Sequence, residues 1–98
     1  MEFKLLDPLI HVPLRLAAMS ILIAEEEADF VGLKKRIEAT GGNLSVQLEK
    51  LQQANYIKVE KGFKGKMQHT VYKITDIGVA AFENYLDALR SYLPSRGR

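Results

Sequence analysis

Residues 40–75 read TGGNLSVQLEKLQQANYIKVEKGFKGKMQHTVYKIT, and the succession of patterns inside this stretch decides the fold. Thr40 can cap a helix whose Leu44, Leu48 and Leu51 recur at i, i+4 and i+7, and Asn55 tolerates the left-handed conformation that closes a helix. Residues 56–61 then alternate, with Ile57 and Val59 on one side and Lys58 and Glu60 on the other. Residues 70–75 alternate in the same way, Val71, Lys73 and Thr75 opposite Tyr72 and Ile74, so the period has changed from that of a helix to that of two strands. Residues 62–69 lie between them, with two glycines and two lysines; the stretch is too long for a tight hairpin turn and too short for a crossover, so a projecting loop is expected.

On the N-terminal side, Asp7-Pro8 predicts a short helical turn to about His11, and Pro13 then opens a main helix over residues 13–24. Leu14, Leu16, Ala17, Met19, Ile21, Leu22 and Ile23 make that helix apolar nearly all round, which requires burial on more than one side. Glu25, Glu26, Glu27 and Ala28 read as a polar connector, and Asp29 as the cap of a second helix carrying Phe30, Leu33 and Ile37 inward and Lys34, Lys35 and Glu38 outward. On the C-terminal side, Asp76 is expected to cap a fourth helix to about Leu93, with fraying over residues 94–98.

Ninety-eight residues leave room for one domain, residues 1–98, and none for a separate sensing domain. With 47% hydrophobic and 27% charged residues the composition is that of a globular chain. There is no cysteine, which excludes disulfides, thiolate metal sites and thiol nucleophiles. The longest apolar run, residues 14–24, is interrupted by Arg15 and Ser20 and is shorter than a membrane span, and Glu2 and Asp7 stand where a signal peptide is cationic. A cytoplasmic location without membrane contact is the expectation. Net charge is +2, but residues 41–74 hold six lysines against two glutamates, a block of +4 set against −2 for the remainder.

The order helix, helix, short turn, helix, strand, basic loop, strand, helix describes an α+β, mostly α fold: a winged helix-turn-helix with a three-helix core, a β-hairpin wing and a C-terminal helix. The blocks Asn43-Leu44-Ser45 with Leu48 and Leu51, then Glu60-Lys61-Gly62-Phe63 with Gly65-Lys66, then residues 70–75 and Gly78, resemble the small winged-helix regulators of the MarR/ArsR-like class. The resemblance is to their short single-domain subgroup and runs from Leu6 to about Leu89. It implies a recognition helix at the third helix, DNA contact by the wing, and dimerisation through the terminal helices. Two positions depart from that class: lysine stands in the wing where arginine is frequent, and Glu38 precedes the third helix where glycine is frequent.

If the leucine seam faces the core, Asn43, Val46 and Gln47 face outward and are the candidates for base reading. Asn and Gln can pair bidentately with adenine, and Val46 can meet a thymine methyl. Thr40, Gly41, Gly42, Ser45 and Lys50 are the candidates for backbone contact on this helix, and Lys61, Lys64, Lys66, Gln68 and His69 on the wing. The same residues also suit a plain solvated helix face and a solvated hairpin. His11 and His69 lack metal-ligand spacing, the three consecutive glutamates cannot converge on one site, and no cofactor motif or acid–base pair is present. The expectation is a non-enzymatic protein without metal or cofactor, binding double-stranded DNA at a pseudo-palindromic operator; no residue pattern points to an effector. The alternative is a winged-helix module that binds another protein. Terminal helices over residues 7–24 and 76–93 carry more apolar surface than one small core can cover, so Leu9, Leu16, Ile23, Val79, Phe82, Leu86, Leu89, Tyr92 and Leu93 are expected to form a homodimer interface.

Overall fold

The computed structural model describes residues 2–94 and runs α1 (Pro13–Glu25), β1 (Glu27–Asp29), α2 (Phe30–Ile37), α3 (Gly41–Gln53), β2 (Ile57–Lys64), β3 (Met67–Ile74) and α4 (Asp76–Arg90). The fraying expected at residues 95–98 lies outside the described residues. Leu44, Leu48 and Leu51 of α3 are buried against Ala18, Met19 and Leu22 of α1, Leu33 of α2, Ile57, Tyr72 and, from α4, Phe82 and Tyr85. Full burial of one such leucine is worth about 1.5–3 kcal/mol, so each seam position contributes substantially to holding α3 on the core. Ahead of α1, Ile10 and His11 donate their N–H groups to the Asp7 carbonyl, and Leu9 donates to the Asp7 carboxylate at 2.9 Å, giving the expected single turn.

The acidic connector contains a strand that the sequence pattern does not show. Residues 27–29 pair antiparallel with β3, Ala28 opposite Tyr72, and complete a three-stranded sheet of order β1-β3-β2. Glu26 turns the chain into it at φ 72° and ψ −37°, a conformation that is costly for a side-chain-bearing residue and is held by two backbone bonds. The Glu26 N–H donates to Leu22 O at 2.8 Å, and Ile74 N–H donates to Glu26 O at 3.1 Å.

The projecting loop is also corrected. β2 and β3 continue in register to the pair Lys64 and Met67, leaving only Gly65 and Lys66 as the turn. Gly65 has φ +66°, the reason a glycine stands at the first central position of this two-residue hairpin. Residues 60–68 are all exposed, so the wing is a two-stranded ribbon standing off the body.

The α4 cap is Thr75 rather than Asp76: its hydroxyl accepts the Gly78 N–H at 2.9 Å and donates toward Asn55 O and Tyr56 O. A Cβ on Gly78 would stand 2.1 Å from Tyr56 O, so only glycine lets α4 start directly on the junction between α3 and β2. Beside it the Tyr56 hydroxyl donates to Asp7 at 2.6 Å, a bond that with burial pushes its pKa up to about 12. The helix stops at Arg90, three residues short of the expected end. There the N-terminal segment lies along it: Lys4 N–H donates to Ser91 Oγ, and the Tyr92 hydroxyl donates to Lys4 O at 2.7 Å.

Candidate nucleic-acid interface

The helix–turn–helix is built by two caps. Asp29 accepts the Gly32 N–H at 2.7 Å to start α2, and Thr40 accepts the Asn43 N–H at 3.2 Å to start α3. Between them Glu38 takes the left-handed conformation, φ 59° and ψ 45°, which explains why glycine is the common residue at this turn. The resulting face of α3 presents Gly42, Asn43, Ser45, Val46 and Lys50 to solvent, Val46 at 50% exposure, with Thr40 and Gly41 at its leading end.

Gln47 is on the same face but is not free. Arg15, 8% exposed and carried by α1, donates from Nε to Leu9 O at 2.6 Å and from its guanidinium to Gln47 Oε1. The Gln47 amide N–H then donates to Asn43 Oδ1 at 3.1 Å. Bidentate reading of adenine needs both ends of a side-chain amide, and here one lone pair of each oxygen is taken by a protein donor, which fixes how the amide faces. Arg15 was not a candidate in the sequence. A single arginine in an apolar helix carries no spacing signal, and its partner lies 32 positions further on.

Lys61, Lys64, Lys66 and Gln68 are exposed along the wing. Val59, Lys61 and Tyr72 line one shallow recess together with Ser45, Glu49 and Gln52, so the inner face of the ribbon continues the outer face of α3. His69 does not belong to the free ribbon: it is half-buried, and its Nε2 lies 3.1 Å from Asp29. The Gly32 N–H first, and His69 second, hold the Asp29 carboxyl below the usual carboxylate range. Lys73 is gripped from both neighbouring strands, by Glu60 at 3.2 Å and Glu27 at 3.6 Å, and Glu60 chiefly raises its pKa. That pair of carboxylates offsets the like charge of Lys58, which lies directly opposite Lys73. Lys34, whose Cε would be 3.9 Å from a Cβ on Gly41, adds a cation beside the start of α3.

Of the expected dimer residues, Leu9, Leu16, Ile23, Leu86 and Leu89 are partly buried against the core and Val79 is partly buried. Tyr92 and Leu93 are exposed at 40% and 61%. Phe82 is 9% exposed and belongs to the protomer's own core, so it has little surface left for a partner. His11 is hydrogen-bonded to the Tyr85 hydroxyl at 2.8 Å, in a packing role. Among the described residues no group of His, Cys, Asp and Glu side chains could hold a metal ion, and no helix is long and apolar enough to cross a membrane.

The same architecture recurs in known proteins. An uncharacterized protein of Methanocaldococcus jannaschii is 34% identical over 73 residues, 74% of this chain and 78% of that protein. The structure of a transcriptional regulator homologue from Pyrococcus horikoshii superposes with a TM-score of 0.79 at 27% identity, covering 86% of this chain and 83% of that one. A MarR-family transcriptional regulator from Silicibacter pomeroyi shares the fold at a TM-score of 0.67 and 21% identity, over 86% of this chain and 56% of that one. PadR of Bacillus subtilis, solved with operator DNA, shares it at 0.63 and 19% identity, over 84% of this chain and 49% of that one. The profile of the winged-helix DNA-binding domain matches residues 14–93, and with α3, the wing and the capped turn placed as described, the chain belongs to the winged-helix DNA-binding domain family.

Proposed function

We propose that the protein is a homodimeric, sequence-specific transcriptional regulator that reads a pseudo-palindromic operator in double-stranded DNA. α3 enters the major groove, with Asn43 and Val46 at base edges and Thr40, Gly41, Gly42, Ser45 and Lys50 toward the backbone. Lys61, Lys64 and Lys66 follow flanking phosphates along the wing, Gln68 lies beside them, and His69 acts through its tie to Asp29 rather than by touching DNA. The observation that carries this reading is the continuity of the α3 face with the lysine-bearing ribbon through the recess shared by Ser45 and Lys61. A partner protomer covers the partly buried apolar residues Leu16 and Ile23 of α1 and Val79, Leu86 and Leu89 of α4, together with the exposed Leu93 beyond its end. A twofold dimer of this kind sets the two α3 helices roughly 34 Å, or a multiple of it, apart.

Selection of bound duplexes from a random pool, with sedimentation of the free protein, tests both halves. An inverted repeat bound with steep salt dependence and a sedimenting dimer are expected. A monomer at micromolar concentration that binds no DNA would leave a protein-interaction module, to which the exposed wing-tip residues Phe63 and Met67 would then belong.

A further inference from the structure

We infer that Arg15 is a specificity-positioning residue: from inside the protein it sets the polarity of the Gln47 and Asn43 amides, so that α3 offers hydrogen-bond donors to the groove and selects guanine, not adenine, at the base facing Asn43. The inference rests on the DNA-reading role proposed for α3 and goes beyond it by naming the base and the buried residue that chooses it.

A guanidinium has only donors, so the end of the Gln47 amide that faces Arg15 must be its oxygen. The Gln47 nitrogen is thereby directed away from Arg15, and the atom of Asn43 that meets it at 3.1 Å must again be an oxygen. Each assignment forces the next, and the relay ends with the Asn43 Nδ2 amino group unpaired among the described residues, on an exposed side chain in the first turn of α3. Arg15 itself cannot swing away easily. It is nine-tenths buried, and its Nε is fixed on Leu9 O in the turn ahead of α1. An asparagine that was free to rotate would present both an acceptor and a donor and would match the N6 amino group and N7 of adenine. One whose oxygen is held by Gln47 has its Nδ2 turned outward and only the second lone pair of that oxygen left, so it meets the groove chiefly as a donor. In the major groove guanine offers two adjacent acceptors, O6 and N7, whereas cytosine offers a donor, which such a group meets unfavourably.

The test compares sites selected from a random duplex pool by the full chain and by Arg15→Met, Gln47→Met and Asn43→Ala, followed by fluorescence anisotropy on the selected duplex with 7-deazaguanine at the assigned position. Wild type should enrich guanine at one position of each half-site, losing about tenfold in affinity when N7 is removed, and Asn43→Ala should lose that preference and that sensitivity. Arg15→Met and Gln47→Met release the Asn43 amide, and each should shift that one position from guanine toward adenine by about tenfold while the rest of the motif stands. A role in folding alone would weaken binding to all sequences without changing the preferred base. Gln47→Met removes a half-buried amide and leaves the buried arginine in place, so it stands if Arg15→Met fails to fold. An adenine preference in wild type that depends on Asn43, or an unchanged guanine preference in Gln47→Met, overturns the relay and leaves the regulator reading intact. A wild-type chain that enriches no motif overturns both.

Discussion

The two surfaces that meet DNA in this reading are built in opposite ways. The α3 face is organised from behind: its seam leucines are fully buried, its first turn is capped by Thr40, and its two amides are oriented by a buried arginine from another helix. The outer wing has no such backing. Residues 60–68 are exposed, and its shape comes from strand pairing and one glycine at positive φ. Reading a base edge requires hydrogen-bonding atoms held in place before contact, whereas a phosphate can be met by an ammonium on a flexible stem. The difference therefore predicts that substitutions at the base-facing positions of α3 change what is bound, and that substitutions on the wing change only how tightly.

The largest way to break this contrast is to disturb the junction that carries both surfaces. Gly78→Ala places a Cβ against the Tyr56 carbonyl, a backbone atom that cannot rotate aside, where α3 hands over to β2. A loss of about 3 kcal/mol of stability is expected by urea denaturation, with binding falling through the unfolded fraction rather than through altered preference. A stability change near zero would mean that α4 does not rest on that carbonyl.

Asn43→Ala and Lys64→Ala then separate the surfaces directly. The first should remove about 1–3 kcal/mol of discrimination at one base pair and leave the salt slope unchanged. The second should weaken all duplexes alike and reduce the logarithmic salt slope by about 1, with stability altered by less than about 0.5 kcal/mol. Gel-shift titrations at several salt concentrations on matched and mismatched duplexes read both quantities. If Lys64→Ala alters base preference, the wing is a reading element after all.

The same contrast explains what the sequence revealed. α3 was legible because its leucine spacing, its threonine cap and its asparagine terminus all report on burial and backbone geometry within one short window. The outer wing reads as a loop in the sequence because alternation signals a strand only when one face is buried, and over residues 62–68 neither face is. β1 was invisible for a related reason: Glu27, Ala28 and Asp29 have no strand-like pattern and are strand only because β3 offers them its free edge. The Arg15 relay lay out of reach because it is a tertiary contact between two residues that are each unremarkable in their own segment. Lys61, Lys64 and Lys66 lie along the ribbon, whereas the tie of His69 to Asp29 spans 40 positions and leaves no local signal.

Smaller effects sharpen the account of the turn that leads into α3. Glu38→Gly relieves a side chain in the left-handed region and should stabilise the domain by about 0.5–1 kcal/mol once the added freedom of the unfolded chain is deducted. Thermal unfolding checks it, and a decrease in Tm would show that Glu38 contributes something its backbone angle does not reveal.

The smallest expected effect concerns the contact of Asp29, at the start of α2, with His69 of the wing strand. Asp29 serves two partners with two oxygens, Oδ1 for the Gly32 N–H and Oδ2 for His69. Its folded pKa is below its unfolded value, so its contribution to stability is complete above about pH 4 and is lost as pH falls through the lower folded value. Asparagine caps helices about as well as aspartate, so Asp29→Asn keeps the Gly32 bond and removes the charge facing His69. The side chains are about one-third exposed, which screens the pair, and at neutral pH the loss should stay within about 0.5 kcal/mol. The informative reading is the acid limb: the variant should lose less stability than wild type as pH falls below about 4, because it has no carboxylate to protonate there. An acid limb identical in both proteins would mean that neither the Gly32 N–H nor His69 holds the Asp29 carboxyl down on folding, and that the wing strand is joined to the start of α2 by backbone pairing alone.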